Sequence, residues 1–214
     1  MSDRPRQLRG TAVRDRLVDV ATELFYVNGV RAVGIDEVLR RSGISKASLY
    51  RWFPSKDDLI VAVLQRRNDM FWRKWDAVAR ENPDARDELV AQATWMRDLA
   101  TSEGYRGCVF VNTAAEFDSD HVRIRDRCLD HEEELHRRLR GLTARLDVVD
   151  GDLLADRLHV AIVGAFAVGG VYPAGGPADG LPDLVDVLVS AAVPVGSPTV
   201  RSLPPLRDPT APVP

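Results

Sequence analysis

The stretch Gly43–Lys56, written G-I-S-K-A-S-L-Y-R-W-F-P-S-K, carries the densest set of local structure signals in the chain. Its glycine can end one helix, Ser45 can cap the short helix that follows, and Pro54 with Ser55 can close that helix and start another. A glycine turn, a capped short helix and a second cap are the layout of the second half of a helix-turn-helix. We therefore expect a helical head built around this short helix.

The short helix predicted after Ser45 has two faces of different character. Leu49, Trp52 and Phe53 recur at i, i+3 and i+4, so they are expected to pack on the preceding helices. The other face carries small, hydroxyl and cationic side chains, with Ala47, Ser48 and Arg51 flanked by Lys46 and Tyr50. Such a face fits a DNA major groove, where small residues allow close approach and arginine can donate two bonds to guanine; it equally fits a solvated surface of a small bundle.

Two further helices are predicted upstream. The first begins at an N-cap on Thr11 and ends at Asn28-Gly29, because apolar residues between these points recur on one helical face. Those apolar residues are Val13, Leu17, Val20, Ala21 and Leu24. The second opens at Gly34 and stops at Ser42-Gly43. The three helices together form the predicted head.

Charge divides the chain into two unequal parts. The 214 residues have a formal net charge of -3, but residues 1–56 hold 11 Lys and Arg against 6 Asp and Glu, and the remainder holds 18 against 26. A basic quarter suits DNA, because cationic side chains release condensed counterions, although such an imbalance also arises by chance. Residues 1–10, with three arginines, are predicted to form a flexible basic arm.

The run from Gly29 to Leu59 resembles the N-terminal domain of TetR-type (tetracycline-repressor-like) regulators. The usual pattern there is A-G-V-S-x-G-x-L-Y-x-H-F-x-x-K-x-x-L, and this chain has S-G-I-S-K-A-S-L-Y-R-W-F-P-S-K-D-D-L. The shared residues are Gly43, Ser45, Leu49, Tyr50, Phe53, Lys56 and Leu59. Three positions depart from the pattern: Ala47 replaces the usual glycine, Trp52 the usual histidine, and Gly34 the usual Ser or Thr.

The resemblance implies an all-α transcription regulator, usually a repressor, that a small-molecule effector releases from a palindromic operator in double-stranded DNA. It implies that Tyr50 and Lys56 hold phosphates, and that the recognition face is formed by Lys46, Ala47, Ser48 and Arg51. Trp52 can donate one indole hydrogen bond, or it serves mainly in packing. The alternative is a helical ligand-binding or partner-binding protein that has lost DNA binding.

Beyond the head, a capping box at Ser55 and Asp58 predicts a long helix that continues to about residue 81, where Asn82-Pro83 breaks it. Further helices are expected near 84–102, 108–117, 120–146, 151–173 and 179–193. The predicted domains are a basic arm (1–10), a helix-turn-helix DNA-binding domain (11–56), an effector-binding and dimerisation domain (57–193) and a disordered tail (194–214). The tail holds 7 of the 13 prolines.

The segment Leu158–Tyr172 is nearly uncharged on all sides and rich in Ala and Gly, so we expect it to be covered all round. The next helix has an apolar stripe at Leu184, Val187, Leu188 and Ala191. In the resembled family these last two helices form a four-helix homodimer bundle. The alternative is that both are buried within one monomer.

Candidate effector-lining residues are aromatic or polar side chains of the body, each of which could equally be plain core: Trp95, Phe110, Phe117, His159 and Phe166. His131 and His136 lie about 140° apart around a helix, which argues against a shared metal. We see no catalytic motif, so we predict no enzyme, cofactor or metal.

Two cysteines, Cys108 and Cys128, could form a disulfide, but buried free thiols are the better expectation. The N-terminus has no signal-peptide layout and the chain has no apolar run of about 18 residues. These features predict a reduced cytoplasmic protein without a membrane partner.

Overall fold

The computed structural model describes residues 10–172 and 176–194. Within these ranges every regular element is helical, which confirms the predicted all-α fold. The helices are α1 Thr11–Asn28, α2 Ile35–Ser42, α3 Lys46–Trp52, α4 Lys56–Glu81, α5 Ala85–Ala100, α6 Val109–Glu116, α7 Val122–Thr143, α8 Gly151–Gly169 and α9 Leu181–Ala192, with a 3-10 helix at Pro177–Gly180. The predicted arm and tail, apart from one residue of each, lie outside the described residues.

The helix boundaries of the head follow its glycines and serines. Gly29 (φ +84°) ends α1 and Gly43 (φ +70°) ends α2, in backbone conformations that glycine tolerates best. The side chain of Ser45 accepts a hydrogen bond from the backbone N–H of Ser48 at 3.3 Å and so caps α3. The prediction that Thr11 is an N-cap is wrong: Gly10 occupies that position, and its left-handed backbone turns the chain into the helix without a side-chain cap.

The head has its own apolar core, completed by the rest of the chain. Leu17, Val38 and Leu49 are fully buried, one from each of the first three helices. Phe53, the residue after α3, is also buried, whereas Trp52 is only partly covered. Side chains from the start of α4, from α6 and the residue after it, and from α7 complete this core, among them Leu59, Leu64, Phe110, Phe117 and Ile124.

The 26-residue α4 connects the head with the body. It begins with the predicted capping box, in which Ser55 Oγ accepts from the N–H of Asp58 at 3.2 Å and Asp58 Oδ2 accepts from the N–H of Ser55 at 3.0 Å. Arg66 then pairs with Asp15 at 2.9 Å and with Asp19, both on α1. Because both links join α1 to α4, the direction of α4 sets the orientation of the head.

The body is a second apolar core between the end of α4 and helices α5, α7, α8 and α9. Its buried members include Trp72, Trp75, Leu89, Met96, Leu135, Leu139, Leu154, Leu158, Phe166 and Val185. α8 stops at Gly169, four residues before the predicted end. A Cβ at Gly169 would lie 2.4 Å from the carbonyl oxygen of Ala100, so glycine is what lets α8 end against α5.

Both cysteines are free thiols, as the sequence favoured. Burial raises the pKa of Cys108 to about 12 and that of Cys128 to about 11, so both stay protonated at neutral pH. In the part of the chain that the structure describes, no helix is both long enough and apolar enough to span a bilayer.

Candidate nucleic-acid interface

α3 presents one solvent-facing side and one buried side. Lys46, Ala47 and Arg51 are exposed and Tyr50 retains 42% of its surface, whereas Leu49 of the same helix is completely covered. We call the surface formed by Lys46, Ala47, Ser48, Tyr50 and Arg51 the recognition face. Within the described residues the guanidinium of Arg51 makes no hydrogen bond or ion pair, so its donors are available to a ligand.

Lys46 is the one member of the recognition face that has an ionic partner on the neighbouring helix. Its Nζ lies 3.6 Å from Asp36 Oδ1 of α2, and both side chains are largely exposed. An ion pair of this kind contributes about 0–1 kcal/mol. A DNA phosphate could therefore replace Asp36 at little cost.

Ser48 and Trp52 contribute differently from the exposed residues. Ser48 is half-buried, and its Oγ accepts a hydrogen bond from Ser45 Oγ at 2.9 Å, so this hydroxyl takes part in the cap of α3. Trp52 packs against the head core with part of its ring exposed. Packing is therefore what the structure assigns to Trp52, and an indole bond to DNA stays a prediction.

Lys56, the first residue of α4, is half-buried at the base of the head. Its Nζ donates a hydrogen bond to the carbonyl oxygen of Arg31 at 3.2 Å and lies 6.0 Å from the ring centre of Phe25. Burial lowers the pKa of Lys56, and the negative charge of Glu116 partly opposes that shift. An ammonium group carries three donors, so two remain for a phosphate.

A contact that the sequence did not predict joins the head to the body. Glu116, the last residue of α6, accepts hydrogen bonds from the backbone N–H groups of Val30 (Oε1, 3.1 Å) and Arg31 (Oε2, 2.7 Å). Arg123 of α7 donates to Asp58 Oδ1 at 2.8 Å and lowers the pKa of that capping carboxyl, after the larger effect of Ser55. The partners lie 65 to 86 residues apart, so no local motif marks either contact.

Three of the predicted effector residues gather in one aromatic cluster, where Phe110 of the head core meets Trp95 and Phe166 of the body core. The ring of Phe71 lies 5.0 Å from Trp95, 5.0 Å from His131 and 6.5 Å from Phe166, measured between ring centres. Phe110 stacks on His131 at 3.6 Å. We call these five residues the aromatic cluster; it contains Trp95, Phe110 and Phe166 of the predicted set.

The other two predicted effector residues lie elsewhere. Phe117 belongs to the head core, where the guanidinium of Arg31 lies 5.5 Å from its ring centre. His159 Nε2 is 2.9 Å from Glu132 Oε2, between α8 and α7. The assignment of these five residues to one effector cavity stays a prediction.

A groove of about 1210 Å³ opens beside Trp95, between the end of α4, α5 and the start of α9. Carboxylates dominate its rim: Glu81, Asp84, Asp87, Asp98, Asp183 and Asp186. Trp95 is half-buried and its Nε1 donates to Gln92 Oε1 at 2.6 Å. This tryptophan therefore lies between the open groove and the aromatic cluster.

The two histidines of the H-E-E-E-L-H tract contact different helices. His131 is 3% exposed and its Nδ1 lies 3.0 Å from Asn68 Oδ1 of α4, whereas His136 Nε2 lies 2.7 Å from Asp156 Oδ1 of α8. Burial lowers the pKa of His131 to about 3, so its imidazole is neutral at physiological pH. Among the described residues no group of three or more His, Cys, Asp and Glu side chains has the arrangement of a metal site.

The last two helices leave an apolar surface uncovered in the single chain. Leu153 and Val160 of α8 are 43% and 74% exposed, and Leu184 and Val187 of α9 are 45% and 43% exposed. A groove of about 550 Å³ runs between the two helices. Within the described residues α8 is therefore covered on only part of its surface, and coverage of the remaining side by a partner stays a prediction.

Comparison with protein families identifies both halves of this architecture. Residues 17–63 match the family described as bacterial regulatory proteins, tetR family, and residues 85–166 match the tetracyclin repressor-like C-terminal domain. The two matches follow one another along the chain and together cover more than half of it. They correspond to the head with the start of α4, and to the body from α5 to α8.

Curated relatives and solved structures agree with these matches. The chain is 38% identical to the transcriptional activator FasR of Mycolicibacterium smegmatis over 95 residues (44% of this chain, 43% of FasR). It is 30% identical to the transcriptional repressor KstR of the same organism over 115 residues (51% of this chain, 56% of KstR). The chain thus spans about half the length of the curated relatives it matches.

Among solved structures, SCO4454, a TetR-family transcriptional regulator from Streptomyces coelicolor, superposes with a TM-score of 0.77 at 29% identity, covering 84% of this chain and 95% of that one. A cysteine mutant of the regulator CifR, solved with 26-bp double-strand operator DNA, gives a TM-score of 0.72 over 88% of this chain and 99% of CifR. At 23% identity, the second likeness concerns the fold alone.

Proposed function

The chain belongs to the TetR family of bacterial regulatory proteins, and from that premise we propose that it is a homodimeric transcription regulator that binds a palindromic operator through α3. The observation that carries this proposal is the recognition face, where Lys46, Ala47, Tyr50 and Arg51 are exposed together on a helix whose Leu49 is completely buried. A helix fixed in this way by its buried side can enter a major groove without rearrangement.

The contacts on DNA divide into two kinds. Arg51 has free donors in the fork geometry that matches guanine O6 and N7, so it is the proposed base-reading residue. Tyr50 on the recognition face and Lys56 at the start of α4 are the proposed phosphate ligands, and Lys46 exchanges Asp36 for a phosphate. The proposed domain division is the predicted one, a DNA-binding domain at 11–56 and an effector-binding and dimerisation domain at 57–193.

The apolar surface on α8 and α9 is the proposed dimer interface. Leu153, Val160, Leu184 and Val187 place four large apolar side chains in solvent on two adjacent helices, and two such pairs can close a four-helix bundle. Dimerisation matters for DNA binding, because two heads one helical turn apart, about 34–36 Å, read two half-sites of a palindrome.

The effector is proposed to be a small molecule that reaches the aromatic cluster from the groove beside Trp95. Trp95 contacts both the groove and Phe71, so a ligand there would displace aromatic packing that extends to α6 through Phe110. Ligand binding would then favour a head spacing that no longer fits successive major grooves. A thermal-shift screen on the wild type and on Trp95→Ala tests this proposal: stabilisation by a compound should be lost in the variant.

Repression is the proposed sign of regulation, as in the relatives named KstR, although the relative FasR is named an activator. We propose no catalytic activity and a cytoplasmic location, because the relatives are named transcription regulators and both cysteines are free thiols.

The direct test is binding of the purified protein to random-sequence duplex DNA, followed by sequencing of the retained molecules and a salt titration. The expected result is an enriched palindrome whose affinity falls steeply with salt. No retained DNA at low salt would favour the alternative, a helical protein that binds ligands or partners without DNA. The substitutions at Gly34, Ala47 and Trp52 relative to the family pattern are the features that would fit that outcome.

A further inference from the structure

The turn Gly29–Arg31, between α1 and α2, is a point where the body contacts the head through hydrogen bonds. We call the contact between Glu116 and the backbone of this turn the grip. Both carboxylate oxygens of Glu116 accept backbone N–H groups of this turn, at 3.1 Å from Val30 and 2.7 Å from Arg31. Hydrogen bonds to a charged acceptor are about twice as strong as neutral ones, and two in parallel also fix orientation. Glu116 therefore holds this part of the head in place rather than merely touching it.

Glycine at position 29 makes this grip possible. Its φ of +84° is a conformation that other residues rarely adopt, and a Cβ there would lie 3.3 Å from Glu116 Oε1. The residue thus both ends α1 and leaves room for the carboxylate. Among the described residues, only Val30 and Arg31 donate hydrogen bonds to Glu116.

The other side of the same turn is held by Lys56. The carbonyl oxygen of Arg31 accepts from Lys56 Nζ at 3.2 Å, while the N–H of Arg31 donates to Glu116. The charge of Glu116 also acts on Lys56 directly, opposing the fall in its pKa that burial causes. One residue of the turn therefore connects a body carboxylate to the lysine proposed to bind phosphate.

α6 connects this grip to the aromatic cluster. The helix has 8 residues, with Phe110 near its start and Glu116 at its end. Phe110 stacks on His131, and Arg125 of α7 donates to the carbonyl oxygens of Ala114 (3.0 Å) and Phe117 (2.9 Å). A helix this short moves as one piece, so displacement of Phe110 would move the carboxylate of Glu116.

We propose that Glu116 is a positioning residue for DNA binding and that it acts through the turn on Lys56. With the carboxylate in place, the turn is ordered and Lys56 is held against it at the start of α4. When α6 moves, the turn loses both N–H acceptors and Lys56 loses its fixed position. This inference rests on the proposed DNA-binding function and adds the residue through which the body controls it.

Two conservative variants test this role. Glu116→Gln keeps the size but leaves one acceptor oxygen and no charge, whereas Glu116→Asp keeps the charge but is one methylene too short. Glu133→Gln, on the exposed side of α7 and without a hydrogen bond in the described residues, is the matched control. Hydrogen exchange of the Val30 and Arg31 amides, resolved by NMR, should quicken about tenfold in both Glu116 variants and stay unchanged in the control.

Operator affinity then shows whether the grip matters for DNA. Against the sequence that the wild type selects, both Glu116 variants should bind up to about threefold more weakly, which is the loss expected for Lys56→Ala itself. Lys56→Ala should cost less in the Glu116→Gln background than in the wild type, because residues that act together are not additive. Circular dichroism on each variant checks that the fold is retained, and the aspartate variant gives the result if the glutamine variant does not fold.

The outcomes separate this inference from the function on which it rests. A wild type that selects no DNA would end the proposed function, while the amide exchange would still report on the grip. A wild type that selects an operator, with Glu116 variants that match it in affinity and amide exchange, would overturn the role of Glu116 alone. Additive effects of Glu116→Gln and Lys56→Ala would overturn the route through Lys56.

Discussion

α3 and α8 both leave one face uncovered, but the two faces have opposite chemistry. α3 exposes Lys46, Tyr50 and Arg51 around a small alanine, whereas α8 exposes Leu153 and Val160. A charged face with free donors suits an anionic, hydrogen-bonding partner such as DNA. An apolar face gains most by meeting a copy of itself, which removes both surfaces from water. The proposed function needs both faces, because one head alone reads only a half-site.

The largest expected effect on operator affinity comes from placing a charge on the apolar face of α8. Val160→Asp puts a charge into the proposed dimer interface, so the protein should elute as a monomer. Operator affinity should fall about 100-fold, because the second head no longer binds at high effective concentration. Light scattering after size exclusion, with fluorescence anisotropy on operator DNA, measures both quantities.

Leu129→Asp is the control for that change, since Leu129 is 55% exposed on α7 and does not belong to the apolar surface formed by α8 and α9. It should leave the dimer and the affinity unchanged. If Val160→Asp remained a dimer with full affinity, the apolar face would not be the interface.

The next effect comes from the charged face. Arg51→Ala should cost about 1–3 kcal/mol of operator binding, because two hydrogen bonds to a base edge are lost. Binding to unrelated DNA should change much less. Arg73→Ala, which removes an exposed arginine in the middle of α4, is the matched control and should bind both DNAs normally. Equal losses on operator and unrelated DNA would make Arg51 a phosphate contact instead.

A fall in pH is expected to affect the head and the body differently, because all four histidines lie after residue 120, outside the head. The folded pKa of His131 is lowered to about 3, so between pH 6.5 and 3 the unfolded chain binds a proton that the folded chain does not. Stability is therefore full above pH 6.5 and falls as the pH drops, by up to about 1.4 kcal/mol per pH unit from this group.

Urea unfolding of the wild type and of His131→Phe at pH 7.5, 6 and 5 measures that slope. Phenylalanine keeps the stack on Phe110 without titrating, so the variant should lose stability less steeply with acid. His121→Gln, at the surface beside Asp118, is the control. Identical pH dependence in wild type and His131→Phe would show that the buried imidazole does not govern acid stability.

The smallest effect is expected from Lys56, at the start of α4. Lys56→Ala should weaken all duplex DNA by about threefold and reduce the slope of log affinity against log salt by about one, as for a single phosphate contact. A loss confined to the operator would contradict the role of Lys56 as a phosphate ligand.

Local signals were sufficient to predict the head. Ser45 and the Ser55–Asp58 pair specify helix starts through bonds within three residues, so the bounds of α3 and the start of α4 followed from sequence. The prediction that Thr11 is the N-cap was wrong because a hydroxyl residue can also occupy the first helical position, as Thr11 does. The roles of individual residues on the recognition face stay predictions, because exposure shows availability rather than contact.

The body was less predictable, because its important contacts join distant parts of the chain. Helical periodicity placed Trp95, Phe110, Phe117 and Phe166 inside but could not say which of them share a layer. It also could not show that Glu116 contacts a turn 85 residues away, since that partner is backbone and carries no sequence signal. Which side of α8 is exposed could likewise be seen only from the positions of the helices packed against it.

The measurement that tests the central claim most directly is parallel selection from random duplex DNA by the wild type and by Arg51→Ala. The wild type should enrich a palindrome with half-site centres about 10 base pairs apart, one helical turn. Arg51→Ala should lose preference at one position in each half-site and keep the spacing. An unchanged preference and affinity in Arg51→Ala would contradict the assignment of the recognition face, and no enrichment by the wild type would contradict the proposed function.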